Sequence, residues 1–177
     1  SLFRQMQLLT AKPVMYVCNV DEDSAAGGNA LSQKMAAQAA AEGAACVVVS
    51  AGIEAEIAQM EDAGERAAFL DSLGLKESGL NRVIHAGYEL LGLITFFTEG
   101  PKETRAWTVS HGTSAAEAGG AIHTDFARGF ICAETIAYDD FIEGKGEQGA
   151  KDAGKMRQEG RNYVVKDGDI ILFRFNV

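Results

Sequence analysis

The chain alternates between two hydrophobic patterns. Residues 13–18 (Pro-Val-Met-Tyr-Val-Cys) and Ala45 to Val49 are continuous apolar runs, the pattern of strands buried on both faces of a parallel sheet. Between them Asn19 to Gly28 reads as a loop. Asn29 to Glu42 reads as an Ala-rich helix with Leu31, Met35 and Ala39 on one side, ended by Gly43. Strand, helix and strand within about 40 residues make a βαβ unit. Residues 52–73 are polar and Glu-rich, with Ile53, Ile57 and Met60 at helical spacing. Ser78 then predicts an N-cap for a helix to Leu91, with Leu80, Val83, Ile84, Tyr88 and Leu91 on its apolar side.

After Gly92 the period changes. Leu93 to Thr98 and Thr104 to Val109 are β-type runs joined by Glu99-Gly100-Pro101-Lys102, a hairpin signal. Ser114 to Ile122 predicts a short helix. Gly129 to Ile136 and Asn162 to Phe175 predict strands, the last interrupted by a turn at Lys166-Asp167-Gly168-Asp169. Hairpin, helix, strand and late strand form the order of a small β-grasp, ubiquitin-like domain. The expected division is therefore residues 1–91 and residues 92–177. Ser1 to Met6 lead almost directly into an apolar strand, and one βαβ unit cannot cover both faces of a parallel sheet. The expectation is that the chain is the tail of a longer protein.

Composition narrows the class. Apolar residues make up 47% and charged residues 23%, so the chain is globular and not disordered. No run of about 18 apolar residues occurs, and no signal-peptide pattern opens the chain. Cys18, Cys46 and Cys132 form no C-x-x-C pair. They read as buried free thiols of a protein in a reducing, cytoplasmic compartment. The net charge of −9 argues against a general nucleic-acid binder. One segment departs from this: residues 145–166 hold Lys145, Lys151, Lys155, Arg157, Arg161 and Lys166 against three carboxylates. It is either the footprint for a polyanion such as RNA or a solvated surface. The same segment contains Gly-Ala-Lys-Asp-Ala-Gly-Lys-Met, residues 149–156, one residue short of a Walker A loop. Met156 stands where a Mg²⁺-ligating hydroxyl is needed, and the preceding polar stretch could not be a core strand, so this is no phosphate loop. His111, His123, Trp107 and the acidic Asp139-Asp140 pair read as turn, packing and surface residues.

Asn19-Val20-Asp21-Glu22 carries the candidate chemistry. It follows a buried strand, the position outside strand ends where open α/β sheets bind ligands. GTPases place Asn-Lys-x-Asp there, and the Asp accepts hydrogen bonds from guanine's ring N–H and exocyclic amine. Here the Lys is Val20 and the Asp is Glu22. A carboxylate facing the lone pair of adenine N1 would be repelled, and mispairing such groups costs about 1–3 kcal/mol. The variant should therefore relax or reverse guanine preference, with main chain near Val20 reading the adenine amino group. Ser50-Ala51-Gly52, after the next strand, occupies the place of the base-side Ser-Ala loop.

Taken with these motifs, KPVMYVCNVDED, SAGIEAEIAQ, GLNRVIHAGYELLGLITFFTEGPKETRAWTV, IHTDFARGFICAETIAYDDF and KGEQGAKDAGKMRQEGRNYVVKDGDIILFRFNV resemble the C-terminal half of the YchF-type Obg-like ATPases. The resemblance covers almost the whole chain. It implies an α/β fold: a partial P-loop NTPase (Rossmann-like) parallel sheet in residues 1–91, then a β-grasp TGS domain in residues 92–177. It implies that Asn19 and Glu22 are the altered specificity motif, that Val20 offers the main chain to adenine, and that Ser50 and Ala51 form the last base-side loop. It further implies ATP and Mg²⁺ as ligands of a parent ATPase, the ribosome (large subunit or whole) as partner, and neither membrane nor DNA. The family's phosphate loop, Mg²⁺ ligands and catalytic loop have no counterpart in this sequence. The chain by itself is expected not to hydrolyse ATP, and to bind it weakly at most. The alternative is a non-catalytic module that binds RNA or the ribosome through residues 145–166.

Overall fold

The computed structural model describes Met6, residues 8–100 and residues 103–176. The first five residues and the Pro101-Lys102 part of the hairpin signal lie outside the described residues. The chain divides into two units, one ending at Leu91 and one beginning at Gly92.

In the first unit, β1 (Met15–Asn19) pairs in parallel with β2 (Ala45–Val49), with Met15 opposite Ala45 and Asn19 opposite Val49. The expected burial on both faces is not met: Val17 of β1 is 50% exposed. The two-stranded sheet takes its main helix cover from α1 and α4. Helix α1 (Ala30–Glu42) starts at Asn29, whose Oδ1 accepts from the N–H groups of Leu31 and Ser32 while Ser32 Oγ accepts from Asn29 N. This reciprocal box satisfies orphan donors at the helix start. Gly43 ends the helix at φ 69°, the left-handed conformation that glycine adopts without a Cβ clash. Of the expected stripe on α1, Ala39 is buried and Met35 half-buried, whereas Leu31 is 72% exposed and buried Ser32 joins the inward side instead. Residues 52–73 do not form one helix. Asp62 accepts from Glu65 N and starts a second, so α2 (Ala51–Ile57) and α3 (Ala63–Ser72) are separate.

Helix α4 (Gly79–Leu91) begins with two side-chain caps. Ser78 Oγ accepts from Asn81 N, and the Glu54 carboxylate of α2 accepts from Gly79 N and Leu80 N at 2.6 and 3.1 Å. Of the expected apolar side, Leu80, Ile84 and Leu91 face outward. Val83 and Tyr88 of that side are half-buried, and buried Gly79 stands against the sheet. At Gly79 an added Cβ would meet Glu54 Oε1 at 3.0 Å and the Val49 side chain at 3.1 Å. Glycine therefore permits the close approach of α4 to β2. On β1 and β2 the Sγ atoms of Cys18 and Cys46 lie 3.8 Å apart, both free thiols and only half-buried.

The second unit is a five-stranded mixed sheet in the order β4-β3-β7-β5-β6. β3 (Leu93–Glu99) and β4 (Thr104–Ser110) form the antiparallel hairpin, from Leu93 opposite Ser110 to Glu99 opposite Thr104. Helix α5 (Ala115–Ile122) opens with a capping box between Ser114 and Glu117. The hydrogen bonds from Ser114 hold the Glu117 carboxyl below its ordinary value. His123 caps α6 (Thr124–Arg128) by accepting from Asp125 N at 3.2 Å. β5 (Phe130–Ile136) leads into two short helices, α7 (Tyr138–Glu143) and α8 (Glu147–Asp152). A three-residue edge strand, β6 (Arg157–Glu159), precedes β7 (Ile170–Phe175). β7 runs antiparallel to β5 and parallel to β3 at Phe97 opposite Ile170. The core joins Ile94, Phe96, Ala118, Ile171 and Phe173, with the Phe96 and Phe173 rings edge to face at 6.0 Å. Phe126 and Phe130 pack against it as half-buried neighbours.

The sequence from Asn162 is not one strand interrupted by a turn. Only Ile170–Phe175 joins the sheet ladder, and Val164 contributes a single bridge to Ser114. The reason is Asp169, 2% exposed, whose Oδ2 accepts from Tyr163 OH at 2.8 Å and Lys166 N at 2.9 Å. That network curls residues 163–169 into a compact turn. Burial, reinforced by the bond to Asp169, pushes the Tyr163 hydroxyl up to about 12 from 10.0. A tyrosine kept protonated by the fold contributes stability that is whole below its ordinary value and is lost as pH rises toward its folded one. Tyr163→Phe is therefore expected to flatten the decline in stability from pH 10.0 to about 12. Urea unfolding midpoints at both ends of that window check this, and an unchanged slope would remove Tyr163 as its source.

Candidate purine-binding lip

The ends of β1 and β2 form one hollow of about 390 Å³, lined by Asn19, Val20, Asp21, Glu22, Asp23, Ser50 and Gly52. Three local features shape it. Asn19 Oδ1 accepts from Ala51 N at 2.9 Å, clasping the two strand ends together. Val20 N donates to Val49 O at 2.9 Å and the residue is 7% exposed. This extends the parallel ladder by one bond and leaves the Val20 carbonyl as its remaining main-chain group. Glu22–Ser24 then form a 3-10 turn that ends at Ala25, which is buried against Ile53 and Leu75. The turn is thus anchored from below while its carboxylates face water.

Glu22 lies across Gly52. A Cβ added there would stand 2.7 Å from Glu22 Oε1 and 3.5 Å from Glu22 Cγ and Cδ. Ser50 is buried at 4% exposure and precedes α2, its carbonyl accepting from Glu54 N. Of the sequence-derived candidates, Asn19, Val20, Glu22 and Ser50 share this hollow. Ala51 contributes the N–H that Asn19 holds and does not line it. Asp21, Asp23 and Gly52 line it as well. The two aspartates were visible in the acidic run after the strand; the use of Gly52 lies in an absent Cβ, which no local pattern reports.

Chemically, three successive carboxylates beside a carbonyl favour a ligand edge rich in donors and repel phosphate. A nucleobase fits that description at its amino edge; a triphosphate does not.

The six cations of residues 145–166 do not gather into one free patch. Lys155 Nζ pairs with Asp140 at 3.1 Å. Arg157 reaches Glu159, buried Asp169 and the Tyr163 hydroxyl. Arg161 donates to Ala127 O and lies over the Phe130 ring at 5.6 Å. Lys145, Lys151 and Lys166 are exposed. Lys145 is the one described non-glycine residue with positive φ, 56°. The Walker-like run follows a helix, not a strand: α8 covers its first part and Gly154, at φ 71°, ends it. Trp107 Nε1 donates to Thr98 Oγ1 and Arg105 stacks on its ring at 4.3 Å, a packing role and not an open stacking platform.

Residues 93–176 match the YchF-GTPase C-terminal family, described as a protein of unknown function (DUF933). The ribosome-binding ATPase YchF of Escherichia coli O157:H7 is 55% identical over 174 residues, 98% of this chain and 47% of that protein. The protein of the same name from Bacillus subtilis (strain 168) is 54% identical over 178 residues, 99% of this chain and 48% of its own length. The solved structure of the Schizosaccharomyces pombe YchF GTPase superposes with a TM-score of 0.82 at 32% identity, covering 98% of this chain and 46% of that one. The chain thus spans about half the length of the curated relatives it matches. By its sequence over nearly all its length, its second unit and its fold, the chain belongs to the YchF family and corresponds to the C-terminal region of those proteins.

Proposed function

We propose that this chain supplies the base-recognising side of an ATP-preferring nucleotide pocket, followed by a TGS module through which the protein engages the ribosome. The observation that carries the reading is the hollow at the ends of β1 and β2, where Glu22 rests on Gly52 beside the Val20 carbonyl. An adenine amino group donates to that carbonyl. Guanine presents a carbonyl oxygen at the same edge, which two acceptors would repel, and its ring N–H needs a carboxylate held closer to the main chain, as that of a shorter Asp is. Asn19 serves as the clasp that keeps Ser50 and Ala51 in register with Val20. The triphosphate and Mg²⁺ belong, in this reading, to the half of the relatives' length that the chain does not span, and hydrolysis belongs with them. The mixed sheet with α5 on one face supports the β-grasp assignment of residues 92–177.

Calorimetric titration of ATP and GTP into this chain, beside the longer protein that contains it, tests the reading. Little or no heat is expected from the chain, and ATP preference from the longer protein. Val20→Lys with Glu22→Asp should shift that preference toward GTP by about tenfold or more, the equivalent of mispairing one buried polar group. A longer protein with native residues that takes GTP better than ATP would refute the assignment of Glu22.

A further inference from the structure

We infer that the second unit docks a basic protein segment on the acidic and apolar face around α7, and does not dock RNA. The inference rests on the proposal above that the chain engages ribosomes, and it assigns the kind of ribosomal surface involved. A ribosome offers two chemistries, anionic phosphate and the cationic side chains of its proteins. The charges of this unit favour the second.

Its cations are largely held internally. Besides Lys155, Arg157 and Arg161, Arg174 is paired with Glu134 at 2.8 Å and Arg128 with Asp125 at 3.2 Å. Residues 138–152, the α7–α8 segment, hold five carboxylates against two lysines. Asp139 and Glu143 are exposed on α7, and no hydrogen bond or ion pair of their side chains is formed with other described residues. Alongside them stands the apolar pair Tyr138 and Ile142, 50% and 56% exposed and one helical turn apart, so that they share a face. The face is fixed in place. Tyr138 packs on Phe97 of β3 at 6.2 Å between ring centroids, and its Cβ closes on Gly168. Phe97 and Ile136 both lie opposite Ile170 in the sheet register, and beside Ile170 opens a slot whose walls include Glu99 and Glu147.

An exposed aromatic and an aliphatic side chain flanked by the carboxylates of Asp139 and Glu143 match lysine and arginine. Their apolar stems lie along Tyr138 and Ile142 while the charged heads reach the rim. The same rim repels a phosphate backbone, whose binding depends on released counterions and clustered cations. Complementary rim charges of this kind set association rate and salt dependence.

Co-sedimentation of the chain with salt-washed bacterial 70S ribosomes tests the inference, with deproteinised ribosomal RNA as the parallel probe. Asp139→Lys with Glu143→Lys should weaken ribosome binding about tenfold or more. Asp139→Asn with Glu143→Gln, which keeps the helix start less disturbed, should weaken it several-fold and flatten its salt dependence. Replacing Lys145, Lys151 and Lys166 together by Gln should leave it unchanged, and the RNA should not retain the chain. Circular dichroism confirms that each variant is folded. Loss of binding in the lysine variant, retention by bare RNA, or no effect of either acidic variant overturns the inference. A native chain that ignores ribosomes altogether instead removes the ribosome reading beneath it.

Discussion

Gly149→Ala is expected to lower the unfolding midpoint of the second unit by about 10 °C or more, a loss of about 3 kcal/mol in a unit of this size. Sequence considerations alone give the opposite sign, because alanine inside a helix is favoured over glycine by about 1 kcal/mol. Packing reverses it. A Cβ on Gly149 would lie 1.9 Å from Gly144 O and 2.8 Å from Gly144 C, and both are backbone atoms that no rotamer change can move. The contact is mutual, since a Cβ on Gly144 would meet Ala150 N at 2.5 Å. The two glycines clasp α7 to α8, and the turn between them adds Lys145 at φ 56° and Gly146 at φ 122°. Gly160 is the control: nothing lies within 4 Å of its added Cβ and its φ is not positive. Gly160→Ala should therefore leave the midpoint unchanged or raise it slightly through the unfolded chain. Thermal melts of the two variants decide the matter, and equal midpoints would mean that the clasp has no energetic weight.

The second large effect is expected at Asp169. Asp169→Ala should cost about 3 kcal/mol, because it leaves a half-buried hydroxyl and a main-chain N–H without acceptors and takes from a guanidinium one of its two carboxylate partners. Those groups are Tyr163 OH, Lys166 N and Arg157 Nη2, the last 3.6 Å from Asp169 Oδ1. Asp169→Asn retains a carbonyl acceptor and should cost about half as much. The turn that Asp169 organises also carries Asp167, whose Oδ1 accepts from Thr95 N at 2.7 Å. It thereby ties the approach to β7 onto β3. Urea denaturation with equilibrium midpoints reads the loss directly. A midpoint for Asp169→Ala within error of the native chain would show that residues 163–169 hold their shape without it.

Much of the fold was legible because its causes are local. Asn29, Ser78 and Ser114 stand one to four residues from the donors they cap, and Gly43 ends α1 through its own φ. The candidate lip was legible for the same reason: Asn19 to Glu22 and Ser50 to Gly52 follow apolar strands, and chain direction places parallel strand ends side by side. Where the reading missed, a distant group had intervened. Leu31, Leu80 and Ile84 sit at helical spacing yet point outward, because the packed side of each helix is chosen by what approaches it.

The sequence by itself determined the strands, the main helices and the residue types at the lip, since hydrogen-bond caps and apolar periods act over four residues or fewer. Only the tertiary structure decided that Asp169 is buried, that Lys155 meets Asp140, that Glu22 rests on Gly52 and that Gly149 faces Gly144. Burial and charge pairing depend on distances through space between segments far apart along the chain. A missing Cβ shows its use only when another backbone comes to fill the place it leaves.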